Sequence, residues 1–108
     1  MPAQPEYPVI LNEEKHRFEM HVAGHMAYEV FKRFRGGIAL LHTIVPEELG
    51  GRGIGGQLVR YILDYAAENN LKVQPDCPFV KAYIDKHPEY QVNSLYHGAT
   101  LDAAESKP

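Results

Sequence analysis

The run Gly50-Gly51-Arg52-Gly53-Ile54-Gly55-Gly56 places five glycines in seven positions, and it constrains this chain more than any other segment. Glycine has no Cβ and visits positive φ freely, so such a run leaves backbone bare at a cost in conformational entropy. Ile54, Leu58, Val59, Ile62, Leu63 and Ala66 then recur at the spacing of one helix face, with the helix expected to end near Asn69-Asn70. Bare backbone opening directly into a helix presents the unpaired amides of its first turn. With the helix dipole behind them, and Arg52 free to add charge-assisted contacts, they form an anion site.

Three readings of the run stay open on spacing alone: a tight turn, a dinucleotide fingerprint, or a cradle for another phosphorylated ligand. A P-loop is excluded, since no Gly-Lys-Ser or Gly-Lys-Thr follows. Gly51, Gly53 and Gly56 match the dinucleotide glycine spacing, and Asp76 stands where a ribose-binding acid would sit. Against that reading, Pro46-Glu47-Glu48-Leu49 separates the glycines from the preceding strand, and Glu47 and Glu48 read as solvated surface. What precedes is a meander rather than a crossover unit.

That meander is expected as strands near Val9–Asn12, Arg17–Val22, Met26–Arg33 and Ile38–Val45, with reversals at Gly24 and at Gly36-Gly37. Ile38-Ala39-Leu40-Leu41 lacks polar alternation, as a strand covered on both faces would. Leu71–Gln74 is a fifth strand candidate, interrupted at Pro75. Pro78 suits the first turn of a second helix that stops before Pro88. The first eight residues, with three prolines, read as an extended lead-in; residues 9–90 read as one domain, and 91–108 as a tail with no regular structure assigned.

The 108 residues suffice for one modest core, and a formal charge of −3 without a basic run gives no footprint for nucleic acid or an anionic membrane. A lone cysteine, Cys77, forms no internal disulfide, and no apolar run is long enough to span a bilayer. The chain is expected to be cytoplasmic. His16, His21 and His25 give no metal set, because His16 and His21 face opposite ways on extended chain and no cysteine completes them.

The stretch from His42 to Gly55, with Cys77-Pro78-Phe79-Val80 and His87-Pro88-Glu89-Tyr90, resembles the small single-domain subfamily of GNAT (GCN5-related) N-acetyltransferases. Gly53 and Gly55 match its motif glycines, while Gly50 stands where Gln or Arg is usual. The resemblance implies a compact α+β fold: a mostly antiparallel sheet with a splayed parallel strand pair and two or three helices. It implies acetyl-CoA as donor and a primary amine as acceptor, on a small molecule, a lysine or an N-terminus. Free amides at Ile44 and Val45 would meet the pantetheine and acetyl oxygen, and the backbone from Gly50 through Gly51, Arg52, Gly53, Ile54, Gly55 and Gly56 the pyrophosphate. The two helices that enclose the acceptor in larger members have no room here, so the acceptor side should be open. A CoA-binding or CoA-sensing module without efficient transfer is the alternative, and a dinucleotide-binding protein the lesser one.

Acetyl transfer needs a neutral amine, a polarised carbonyl and a protonated leaving thiolate. By the resemblance Cys77 faces the acetyl group, either as a covalent carrier or only as a wall of the pocket. A helix N-terminus at Pro78 would favour its thiolate, whereas adjacent Asp76 opposes it. His42 is the candidate base, or else a histidine satisfied within the core. Tyr83 is placed to protonate the leaving thiolate, or else packs as part of a helix face.

Overall fold

The computed structural model describes residues 7–101. Residues 1–6 of the expected lead-in, and 102–108 of the tail, lie outside the described residues.

One five-stranded sheet runs in chain order: β1 (Val9–Asn12), β2 (Arg17–Val22), β3 (His25–Phe34), β4 (Gly37–Ile44) and β5 (Lys72–Pro75). The first four are antiparallel, and β5 joins β4 in parallel. Between β4 and β5 lies α1 (Ile54–Glu68), and α2 (Pro78–Asp85) follows β5. The fold is thus α+β with a splayed parallel pair. The β2–β3 turn is two residues with positive φ, Ala23 at 50° and Gly24 at 81°, the twist that matches a tight hairpin. That turn lets β3 begin at His25. Pro75 closes β5 opposite Leu40, a strand end where its missing donor costs little.

Strand alternation divides the sheet into two faces. Phe18, Met20, Ala27, Phe31, Ile38 and Leu40 are buried on one, beneath the Ile54, Leu58, Val59, Ile62, Leu63 and Ala66 stripe of α1. On the other, Ile10 and Ile44 are 51% and 42% exposed. Only Glu13–His16 joins β1 to β2, so no helix is inserted there.

The tail is more ordered than its composition suggests, as far as it is described. Residues Pro88–Asn93 and Leu95–His97 form 3-10 turns, and Ser94, fully buried, bridges to Val73 beside β5. Ser94 Oγ and His97 Nδ1 are 2.6 Å apart, and His97 Nε2 stands 2.6 Å from an Asp85 carboxylate oxygen, which clips the segment onto α2. Asn93 also donates to the Leu71 carbonyl at 2.8 Å. Scattered polar partners of this kind leave no periodic trace in the sequence. Among the described residues no helix is long and apolar enough to cross a membrane.

Candidate active site

The parallel register ends at Leu40 and Pro75, and the Cys77 amide donates to the Leu40 carbonyl at 2.9 Å. Beyond that point the chains part. β4 continues to Ile44 while the segment after β5 enters α2, leaving the β4 edge from Leu41 onward without a strand partner on that side among the described residues.

The β3–β4 register also shifts here: Phe31 pairs Leu40, Val30 pairs His42, and Leu41 is the extra residue of a bulge. Residues paired across strands share a face, so Thr43, opposite Glu29, lies on the same covered face as Leu40, opposite Phe31. His42 goes to the open face with Val30, and its side chain is exposed. The expectation of a histidine satisfied within the core is therefore corrected. His42 and Cys77 stand on opposite sides of β4.

After Val45-Pro46 a 3-10 turn at Glu47–Leu49 leads into the glycine run. Glu47 and Glu48 are exposed. Gly51 and Gly53 have φ of 79° and 69° with open space where a Cβ would stand. Gly53 is the N-cap of α1 and, having no side chain, makes no side-chain cap bond to the first-turn amides. Gly50 differs from its neighbours: its amide is already donated to the Glu47 carbonyl at 3.0 Å, and it adds no free donor. A Cβ on Gly55 would stand 2.9 Å from Phe79 Cζ and 3.5 Å from Val45 Cγ2, so Val45, Gly55 and Phe79 meet at one point. Gly56 faces Tyr83 in the same way, at 3.8 Å. Arg52 is exposed beside this run.

Cys77 is the buried N-cap residue of α2, its sulfur 3.1 Å from Thr43 Oγ1. The Asp76 carboxylate does not turn toward it. Gln74 donates to one Asp76 oxygen at 2.7 Å and the Tyr96 hydroxyl to the other. Tyr83 stacks on His87 with centroids 3.9 Å apart, and burial raises its phenol above the ordinary range, so it is a protonated donor at neutral pH. A cleft of about 250 Å³ runs along α2 between Phe79, Ala82, Tyr83, Lys86 and His87, adjoining the glycine contacts.

A parallel pair that parts beside a glycine-rich helix start is thus the frame of the candidate site, and residues 17–93 match the family model of the GCN5-related N-acetyltransferases. The chain belongs to this family. A solution structure of a GCN5-like protein from Staphylococcus aureus superposes with a TM-score of 0.67 at 25% identity, covering 94% of this chain and 97% of that one. Protein NATD1 of Homo sapiens is 35% identical over 51 residues, which are 47% of this chain and 45% of its own. Protein NATD1 of Danio rerio is 33% identical over 61 residues, 55% and 56% of the two chains. The chain thus spans about half the length of the curated relatives it matches.

Sequence reasoning did not single out Glu29 and Thr43, which the structure places beside Cys77. Thr43 Oγ1 donates to Glu29 Oε1, and the His42 amide also meets that carboxyl. One signal was available: on β3, Glu29 takes an inward position in the alternation with Ala27 and Phe31, where a carboxyl is out of place. Among the described residues no group of three acids, histidines or cysteines stands close enough to hold a metal.

Proposed function

We propose that this domain transfers an acetyl group from acetyl-CoA to a primary amine. The observation that carries the reading is the bare β4 edge running straight into uncapped helix amides, with Cys77 beside it. Bound acetyl-CoA supplies an activated thioester. The amides of Gly51, Gly53, Ile54, Gly55 and Gly56 would hold its pyrophosphate, with Arg52 and Lys86 adding charge. The fit is steric as well as electrostatic: positive φ and empty Cβ positions at Gly51 and Gly53 admit a ligand to the backbone itself.

The amides of Ile44 and Val45 orient the acyl arm and polarise its carbonyl. Cys77 stands at the acetyl end, and the Tyr83 phenol returns a proton to the leaving sulfur. His42, on the open face, takes the proton of an amine approaching from the side opposite Cys77. The open face admits a lysine on a protein surface as readily as a small amine. A second reading is a CoA-binding module, favoured by the separation of His42 from Cys77, which leaves no single pocket holding both.

Release of free CoA from acetyl-CoA in the presence of a lysine peptide or a small diamine tests the assignment. Amine-dependent turnover that falls on the order of 100-fold in His42→Gln supports it. Binding of CoA without turnover establishes the second reading, and unchanged turnover in both His42→Gln and Cys77→Ser removes the catalytic roles.

A further inference from the structure

Glu29 is fully buried in the middle of β3, and none of the roles above uses it. Its Oε1 accepts from the Thr43 hydroxyl, whose oxygen lies 3.1 Å from the Cys77 sulfur. Its Oε2 is buried with no hydrogen-bond partner among the described residues. A half-satisfied carboxyl in a core is costly, and an apolar side chain at this position would not incur that cost. At this position the carboxyl therefore works against packing.

Around it stand Phe18 opposite on β2, Thr43 and the His42 amide on β4, and the apolar face of α1; Cys77, beyond Thr43, is the titratable side chain of this set. Burial pushes the Glu29 carboxyl up to about 8, with the Thr43 and His42 hydrogen bonds working the other way and no charged side chain contributing. That lies well above the ordinary carboxylate range, so when ionised this carboxyl is a stronger base than a solvated glutamate.

We propose that Glu29 and Thr43 form a proton relay that arms Cys77 as the acetyl acceptor. The inference rests on the acetyl-CoA reading above and deepens it. As the sulfur attacks the thioester carbon, the Cys77 proton passes to Thr43 Oγ1 while the Thr43 hydroxyl proton passes to the ionised Glu29 carboxylate. A bond forms from the Cys77 sulfur to the acetyl carbon. The bond from that carbon to the CoA sulfur breaks, its electron pair leaving on sulfur, which is protonated by Tyr83 or water. In the second half the amine nitrogen bonds to the acetyl carbon and the Cys77 sulfur leaves. The sulfur recovers its proton through Thr43 from Glu29, and the surplus amine proton goes to water. Glu29 and Thr43 touch no substrate atom; they are positioning residues acting through Cys77.

Two readouts on the full chain test this. The first is ligand-free: thiolate absorbance against pH, unambiguous because Cys77 is the one cysteine. Wild type should titrate in two overlapping steps of a coupled pair, and Glu29→Gln in a single step at lower pH, since no neighbouring carboxylate then opposes the thiolate. The second is the rate at which Cys77 gains an acetyl mass from acetyl-CoA, by quenched intact-mass spectrometry. The wild-type rate should climb with pH through about 8. Glu29→Gln should lose that climb and fall on the order of 100-fold at the plateau. Thr43→Val should behave like Glu29→Gln, whereas Thr43→Ser, which keeps the hydroxyl, should retain the wild-type profile; this pair decides the matter if Glu29→Gln does not fold.

An unchanged thiol titration, or equal acetylation rates and pH profiles in wild type and the folded variants, overturns the relay. Wild type that retains CoA but takes no acetyl group overturns it and leaves the CoA site standing. Failure to bind CoA at all removes the acetyl-CoA reading, and the thiol titration then still decides whether Glu29 is coupled to Cys77.

Discussion

Glu19 and Glu29 sit on neighbouring strands, at 6% and 0% exposure, and the fold drives their carboxyls in opposite directions. Glu19, on the open face, is held down to about 2, chiefly by Arg17 at 2.6 Å, with His21 and Asn12 completing its shell. Glu29, on the covered face, has Thr43 and one amide, and burial raises it to about 8. The difference is one of partners and of depth together: Arg17 holds Glu19 down, and burial without a cation pushes Glu29 up. A sealed carboxylate with a guanidinium and further donors is a structural ion, whereas one without a cation stays protonated and is available for proton traffic.

The largest effect that separates them is on acetylation of Cys77, where Glu29→Gln acts strongly and Glu19→Gln should leave the rate within about twofold, measured by intact mass. Equal losses in both would break the contrast. The next is on stability against pH. Glu29 keeps its proton when folded up to about 8 but only to 4.5 when unfolded, so the native state binds more protons across that window and its stability falls as pH rises through it. Urea unfolding of wild type should lose on the order of 3 kcal/mol between mildly acidic and alkaline pH, and Glu29→Gln should lose much less.

Glu19 has the opposite sign. Its folded value lies below its unfolded one, so its contribution is present above about 4.5 and is lost as pH falls toward about 2. Glu19→Gln should cost about 1 kcal/mol at neutral pH and nothing at the acid end, by the same unfolding measurement. The smallest effect belongs to His21→Gln. That side chain is 54% exposed and its contact with Glu19 is 3.1 Å, so a change within about 0.5 kcal/mol is expected. A larger one would mean that the Glu19 shell depends on more than Arg17.

Much of this fold was legible in the sequence because it is periodic. The meander, the α1 stripe and the glycine run each repeat a local rule, and β1, β2 and the start of α1 lie where the pattern puts them. What was not legible depends on single departures from period. The bulge at Leu41 turns His42 outward and Thr43 inward, which no count of alternation predicts. Glu29 and Cys77 are 48 positions apart in the chain and are joined only through Thr43. The Ser94–His97–Asp85 clip is likewise built from unlike residues at unlike spacings.

The central claim is that the backbone from Gly51 to Gly56 is an acyl-CoA cradle, and native mass spectrometry of the protein with equal CoA and NAD tests it directly. One CoA should be retained per chain and NAD should not. Gly53→Val, which places a branched side chain at a φ of 69° in the cradle, should lose it. Retention of NAD in preference, or of CoA undiminished in folded Gly53→Val, would contradict the account.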